Sequence, residues 1–261
     1  MKTLQKKFRI FLFLSIFLLN VFPANSFASQ GRNLTVFAEQ NMVTALTKIA
    51  RLYSQKNNVV VSINFNSSAE LISDIDSGEP ADVFISAHHN WIETLKQKGL
   101  VDVYNIGYIA RDDLVLVTYK DNKNIPDKLK KITLEEALKT LNQLKATIVT
   151  DQEGSSAGKH GIDLIKSLSL NDLQLFIQLP EDRAPILNSL KENPEHYALA
   201  LVSQLKDNQN LNIITQGNGG EIFYQAFVIA GDNMDTAREF LKFLKTRPAK
   251  SIFRENGFFV E

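Results

Sequence analysis

The chain contains no cysteine among its 261 residues. This absence excludes a framework of disulfide bonds, and it also excludes a lipid-modified cysteine as an N-terminal tether to a membrane. Long apolar runs are equally scarce, because only the stretch Ile10 to Phe22 is almost entirely apolar. The protein must therefore derive its stability from a buried core, and the residues beyond this stretch are numerous enough to build one.

The single apolar run has the features of an export signal. Four basic residues lie among the first nine, the apolar run follows them, and small residues stand at positions 26 and 28. A run of this length is short for a transmembrane helix but typical of a secretory signal. A retained anchor helix is the alternative, and the absence of a second run of spanning length argues against it. We predict that residues 1–28 are a signal peptide, and that the mature protein is periplasmic without a lipid anchor.

The charge balance bears on the choice of partner. The whole chain has 29 basic and 29 acidic residues, and removal of the four basic residues of the leader leaves 25 against 29, a formal charge of −4. A protein with this balance lacks the excess of Lys and Arg that neutralises phosphate groups in complexes with nucleic acid. We therefore predict no nucleic-acid partner.

Apolar runs alternate with segments of helical periodicity along the chain. Runs at 34–38, 59–65 and 83–86 are each followed by a segment whose apolar residues recur at helical spacing. Strands that are apolar on both faces favour a parallel sheet covered by helices on both sides. The pattern begins again at Leu114, with further strands at 114–119, 147–150 and 197–202.

These two series predict an α/β protein with two lobes around a hinged cleft. We assign residues 29–113 to the first lobe and residues 114–216 to the second. The tail, 217–261, holds one strand and two helices, and we assign it to the first lobe, whose sheet it completes. Ligands of open α/β sheets bind beyond the carboxyl ends of the strands, so the residues that follow each strand are the candidates for function.

Polar residues follow three of the predicted strands. Asn41 follows the first as a predicted helix N-cap, the pair Ser67 and Ser68 follows the second, and the segment 151–158 is rich in Gly and Ser. Helix N-termini offer unpaired N–H groups and partial positive charge, and serine hydroxyls add further donors. A lone serine before a helix is usually only a cap, but three such loops at one edge favour a site for a small oxyanion.

A family resemblance accompanies this pattern. The chain resembles the periplasmic molybdate-binding proteins of ABC importers, and the resemblance covers nearly all of the predicted mature chain. The segments that carry it are Leu34–Phe37, Ser67–Leu71, Ile75, Gly78, Pro80–Ala87 with Trp91, Ile252–Phe253 and Asn256–Phe258. The resemblance implies a type II periplasmic binding protein fold that holds molybdate or tungstate by neutral hydrogen bonds, with no cofactor. It also implies a membrane permease and its cytoplasmic ATPase as partners, and we predict a monomer.

The resemblance implies specific site residues. Ser68 matches a binding serine of the family, and Ala157 matches a backbone donor. At three further places the side chain differs from that of the family. Asn41 replaces a serine, and Leu201 replaces a tyrosine, with Ser203 nearby as a substitute. Arg183 provides a backbone N–H, as the family does at this place, but adds a cationic side chain. The predicted ligand-binding residues, all near strand ends, are Asn41, Ser67, Ser68, Ala157, Arg183 and Leu201.

Other functions find less support in the sequence. Ser67 or Ser155 could be nominated as a nucleophile, but no elbow motif and no histidine in a matching context accompanies either, so we predict no enzyme and no catalytic residues. The adjacent pair His88 and His89 lacks further ligands at suitable spacing, so we predict no metal site. Two alternatives stay open, namely a different anion or small organic ligand in the same fold, and a sensor that binds its ligand without transport.

Overall fold

The computed structural model describes residues 32–129, 132–177, 185–206, 208–215 and 220–261. The predicted signal peptide and Arg183 therefore lie outside the described residues. Within these ranges, no helix combines the length and the apolar character needed to cross a membrane.

The first part of the fold is a set of parallel strands joined by helices. Its elements are β1 (Arg32–Glu39), α1 (Val43–Asn57), β2 (Val59–Asn66), α2 (Ser68–Asp76), β3 (Val83–Ser86) and α3 (His89–Gln97). Strand β1 lies between β2 and β3 and is parallel to both. All four residues of β3 are buried, as expected for a strand covered on both faces.

A single long strand then runs through both parts of the sheet. Strand β4 (Val101–Tyr119) pairs antiparallel with β9 (Glu221–Ile229) as far as Asp113, and from Leu114 onward it pairs with β7 (Tyr197–Leu201). The first half of β4 was not predicted from the sequence, because polar residues interrupt its apolar pattern. The change of partner between Asp113 and Leu114 coincides with the predicted lobe boundary.

The remaining elements complete the second part and the C-terminus. They are α4 (Leu134–Gln143), β5 (Thr147–Thr150), α5 (Ser156–Ser167), β6 (Gln174–Ile177), α6 (Pro185–Glu192), α7 (Val202–Leu205), β8 (Leu211–Ile213), α8 (Met234–Leu244) and α9 (Arg247–Glu255). The strands follow the order β2-β1-β3-β9-β4-β7-β5-β6, and β8 pairs with β4. Strand β6 was not predicted, and β7 is one residue shorter than predicted because α7 begins at Val202.

We call the strands β2, β1, β3, β9 and residues 101–113 of β4 the first half-sheet. The second half-sheet comprises residues 114–119 of β4 with β7, β5, β6 and β8. Strand β9 returns to the first half-sheet, between β3 and β4, so the chain crosses between the half-sheets more than once. The exact lobe limits that we assigned from the sequence stay a prediction, which the change of partner in β4 supports.

The C-terminal helices close the core of the first half-sheet. Phe240 of α8 and Phe253 of α9 are fully buried, as their helical spacing predicts. Tyr53 of α1 packs edge-on against Phe240, with 5.1 Å between the ring centroids. Phe258 is also buried and contacts Phe253. The contact between Tyr53 and Phe240 joins α1 to α8, and both rings belong to the core cluster that also contains Leu34 and Val36 of β1.

Candidate functional site

Three serine side chains surround one buried carboxylate where the two half-sheets approach each other. Glu39 is the last residue of β1, and it is only 3% exposed. Ser68 begins α2, Ser86 ends β3, and Ser156 begins α5; all three are buried. The four residues are contributed by four different elements, so the tertiary fold alone brings them together.

The serine hydroxyl groups form hydrogen bonds to the same carboxylate oxygen. Ser68 and Ser156 both donate to Glu39 Oε1, and Ser86 Oγ lies 3.2 Å from it. The Oγ atom of Ser86 lies 2.8 Å from that of Ser68 and 3.5 Å from that of Ser156. The hydroxyl groups therefore form a compact cluster of donors around a single point.

Local capping explains why these serines occupy the first turns of their helices. Ser67 is the N-cap of α2 and accepts the N–H of Glu70, and Ser155 is the N-cap of α5 and accepts the N–H of Gly158 at 3.0 Å. Each cap leaves the following serine at the first helical position. Both helix N-termini, with their partial positive charge, thus lie beside the Glu39 carboxylate.

Contacts across the site join the two half-sheets. The N–H of Ala69 in α2 donates to the carbonyl oxygen of Gly154, in the loop before α5, at 3.2 Å. The N–H of Ala87, just after β3, lies 3.4 Å from Ser156 Oγ. The start of α5 therefore faces β1, α2 and β3 directly, and the serine cluster lies at the junction.

Asn41 takes a different role from the predicted one. It lies in the 3-10 turn Gln40–Met42, and the N-cap of α1 is Met42, so the prediction of Asn41 as the helix cap was wrong. Its side-chain amide instead donates to the hydroxyl of Tyr224 at 2.5 Å. Asn41 Oδ1 is buried and has no hydrogen-bond partner among the described residues. The side chain thus points inward, toward β9.

The site is rich in acidic groups whose charge is costly to bury. Burial raises the pKa of Glu39, and the hydrogen bonds from Ser156, Ser68 and Ser86 offset part of that rise. Burial raises the pKa of Tyr224 well above its ordinary value, and the negative charges of Glu39, Asp112 and Asp151 raise it further. Tyr224 is therefore a neutral hydroxyl at physiological pH.

Asp112 lies at the point where β4 changes partner. Its Oδ1 atom accepts the N–H of Asp113 at 2.8 Å and the N–H of Ser203 at 3.2 Å, whereas Oδ2 is buried without a hydrogen-bond partner in the described ranges. Burial raises the pKa of Asp112 to about 6, and the nearby Ser203 hydroxyl and these two N–H groups offset part of the rise. The Ser203 hydroxyl lies near the carboxylate without meeting hydrogen-bond geometry.

Two histidines border the serine cluster. His88 is buried, and its Nε2 lies 3.3 Å from Asp163 Oδ2. The rings of His88 and His160 lie 4.6 Å apart, and His160 Nε2 lies 3.4 Å from the carbonyl oxygen of Ala87. Across the part of the chain that the structure describes, no group of three or more His, Asp or Glu side chains is arranged to hold a metal ion.

The structure brings together some of the predicted site residues and separates others. Ser68 lies in the serine cluster, Ser67 caps the helix beside it, and Ala157 is buried next to Ser156. Leu201 is fully buried in the core, and its N–H donates to Gln204 Oε1 at 2.9 Å, so neither its side chain nor its N–H is open to a ligand. Arg183 lies outside the described residues.

Sequence reasoning did not assign roles to Glu39, Ser86 and Ser156. Glu39 and Ser86 are the last residues of buried strands, at the edge where ligands of α/β sheets bind. A charged residue directly after an apolar strand is the signal that could have identified Glu39. At Ser156 the sequence predicts a loop rich in Gly and Ser before a helix, without singling out this hydroxyl as part of the site.

Comparison with known proteins agrees with this architecture. The sequence model of the family described as "Bacterial extracellular solute-binding protein" matches residues 34–259. The "Molybdate-binding protein ModA" of Escherichia coli (strain K12) is 25% identical over 243 residues, which span 91% of this chain and 92% of that protein. The protein of the same name from Haemophilus influenzae (strain ATCC 51907 / DSM 11121 / KW20 / Rd) is 27% identical over 243 residues, with 89% and 92% covered.

A solved structure shows the same fold. The crystal structure of the tungstate ABC transporter from Geobacter sulfurreducens superposes with a TM-score of 0.69 at 18% identity, and the match covers 85% of this chain and 98% of that one. The predicted two-lobed periplasmic binding protein fold is thereby confirmed, as is the family resemblance found in the sequence. The two relatives carry the names of binding proteins and not of enzymes.

Proposed function

The chain belongs to the bacterial extracellular solute-binding proteins, and from this premise we propose that it captures a small oxyanion, molybdate or tungstate, between its two lobes. The protein then delivers the anion to the membrane permease of an ABC importer, which a cytoplasmic ATPase drives. It acts as a monomer in the periplasm and needs no cofactor. The anion itself undergoes no chemical change.

The convergence of Ser68, Ser86 and Ser156 is the observation that carries this proposal. An oxyanion that leaves water must regain hydrogen bonds to its oxygen atoms, and three hydroxyl groups around one point can supply them. The N-termini of α2 and α5 add partial positive charge at the same point. The donors found at this cluster in the described ranges are uncharged hydroxyl and backbone groups, and the Glu39 carboxylate accepts the hydrogen bonds of the three serines.

The identity of the anion draws support from the relatives. The two relatives described above are named for molybdate, and the solved structure described above is named for tungstate. Asn41, which stands where the family has a serine, is linked to Tyr224 and so provides an amide and a phenol near the end of β1. A different anion or a small organic ligand is one alternative, which calorimetry distinguishes, and a sensor without transport is the other, which an uptake experiment distinguishes.

Isothermal titration calorimetry of the mature protein, beginning after Ala28, tests the proposal. We expect one binding site for molybdate and for tungstate, and much weaker binding of sulfate and phosphate. Binding of an organic acid, with no response to any of the four inorganic anions, would contradict the assignment of the ligand. Uptake of the anion by a reconstituted ABC permease and ATPase in the presence of this protein separates an importer component from a sensor.

Substitution of the cluster serines tests the site itself. We expect Ser68→Ala and Ser156→Ala each to weaken molybdate binding by about 10- to 100-fold, because loss of one donor to a charged acceptor costs roughly 1–3 kcal/mol. Ser251→Ala is the matched control, because Ser251 lies in α9 and its exposed hydroxyl bonds Glu255 of the same helix. If Ser68→Ala and Ser156→Ala both bind as tightly as the control, the anion lies elsewhere.

A further inference from the structure

The Glu39 carboxylate lies at the point where the proposed anion must bind. We propose that Glu39 is the specificity-determining residue of the cleft: ionised, it closes the serine cluster to anions, and an oxyanion binds only together with one proton taken up by Glu39. This inference rests on the proposed function and adds a condition to it, namely that Glu39 takes up a proton when the anion binds. It assigns Glu39 a role that its neighbours in the chain do not share.

Ser68, Ser86 and Ser156 direct their hydroxyl groups to one oxygen of Glu39, and the N-termini of α2 and α5 flank the same group. These are the features of an anion site, and the anion that occupies it belongs to the chain itself. An external oxyanion must therefore displace this carboxylate from its donors or bind directly beside it.

Two anions in contact within a buried site repel each other strongly, because the protein interior screens charge poorly. Glu39 is 3% exposed, so neither water nor bulk ions can relieve that repulsion. Protonation removes it, and it also converts Glu39 from an acceptor into a donor that can bond an oxygen of the incoming anion. Burial already raises the pKa of Glu39, which makes this proton uptake accessible.

Other titratable groups face the site from each packed element, and they must be distinguished from Glu39. Tyr224 on β9 stays neutral, and the carboxylates of Asp112 and Asp151 act on it together with Glu39. His88 lies beyond β3 and pairs with Asp163. On α5, Lys159 pairs with Asp163, and His160 packs on the ring of His88. On α2, Glu70 accepts a hydrogen bond from the Ser67 hydroxyl.

The direction of the pH dependence follows from linkage. A bound oxyanion raises the pKa of Glu39 above its value in the free protein, so the complex holds more protons than its separate parts. Affinity must then rise as the pH falls, by about tenfold for each pH unit within the window between the two pKa values.

Calorimetry of the wild-type mature protein with tungstate, in two buffers of different ionisation enthalpy, measures this proton directly. We expect uptake of about one proton per anion, and an affinity at about pH 6 at least tenfold higher than at about pH 8. The variant Glu39→Gln should bind tungstate without proton uptake and with nearly equal affinity at both pH values. Glu255→Gln, at the exposed end of α9, is the matched control and should behave as the wild type.

The outcomes separate this inference from the proposed function. Tungstate binding by the wild type without proton uptake overturns the role of Glu39 and leaves the proposed function intact. A pH dependence that persists in Glu39→Gln assigns the proton to another group and also overturns it. No tungstate binding by the wild type or by Glu39→Gln at either pH, with both shown to be folded by circular dichroism, refutes the proposed function itself.

Discussion

Gly158→Ala is expected to weaken anion binding severely and to destabilise the protein, although alanine is the better helix former. A Cβ atom at Gly158, in the first turn of α5, would lie 2.0 Å from the carbonyl oxygen of Gln152 and 2.4 Å from that of Asp151. Such distances lie far inside van der Waals contact, and both neighbours are backbone atoms, which cannot rotate away. The loop before α5 or the start of the helix must therefore move.

This movement affects the site because Ser156 lies two residues earlier in the same turn. Displacement of the helix start by about 1 Å is enough to break hydrogen bonds that depend on distance and angle. We expect molybdate affinity to fall by at least about 100-fold and the free energy of unfolding to fall by about 3 kcal/mol. The gain in helix propensity, about 1 kcal/mol, is smaller than this cost.

Calorimetry and urea unfolding measure the two effects. Gly231→Ala is the matched control, because a Cβ atom there meets no atom within 4 Å, and it should leave both quantities nearly unchanged. If Gly158→Ala binds molybdate and unfolds like Gly231→Ala, the tight approach of α5 to residues 151 and 152 is wrong, and with it the geometry of the serine cluster.

Asp112→Asn is expected to stabilise the protein at neutral pH by about 3 kcal/mol. The pKa of Asp112 is raised from 3.8 to about 6 by burial. The substituted amide would keep an oxygen for the N–H groups of Asp113 and Ser203 without placing a negative charge between the half-sheets. The gap between the two pKa values sets the size of the gain.

The free energy of unfolding changes with pH in the direction opposite to that produced by a salt-bridged carboxylate. The unfolded chain loses the Asp112 proton near pH 3.8, whereas the folded protein keeps it up to about pH 6. Between these values the folded state binds more protons, so the free energy of unfolding falls as the pH rises from about 4 to about 6 and then stays low. The raised pKa of Glu39 acts in the same direction.

Urea unfolding of the wild type and of Asp112→Asn at about pH 4 and about pH 8 tests this account. The two proteins should differ little at the lower pH, where Asp112 is largely protonated, and by the full amount at the higher pH. Asp121→Asn, in an exposed loop, is the matched control and should follow the wild type at both. If the wild type is as stable as Asp112→Asn at the higher pH, or more stable, the charge of Asp112 is not buried.

Much of the fold could be predicted because its signals are local. The apolar runs that became β1, β2, β3, β5 and β7 are dominated by aliphatic residues, and the helices between them show clear periodicity. The first half of β4 escaped prediction because its stability comes from pairing with β9, which lies more than a hundred residues away in the sequence. Pairing between distant segments leaves little trace in either segment alone.

The site could be predicted only in part, for the same physical reason. Ser67 and Ser68 were found because a helix start has a local signature, and Ser68 does lie in the cluster. The partners of Glu39 stand 29, 47 and 117 residues away along the chain, and Tyr224 stands 183 residues from Asn41. The inward orientation of Asn41 depends on that contact, which no helix-capping rule can anticipate.

Tungsten anomalous scattering from crystals of the mature protein grown with tungstate at about pH 6 is the most direct test of the central claim. We expect one strong peak within hydrogen-bond distance of the hydroxyl groups of Ser68, Ser86 and Ser156, beside Glu39. A strong peak at another position, or no peak in crystals of a protein that binds tungstate in solution, would show that this serine cluster is not the anion site.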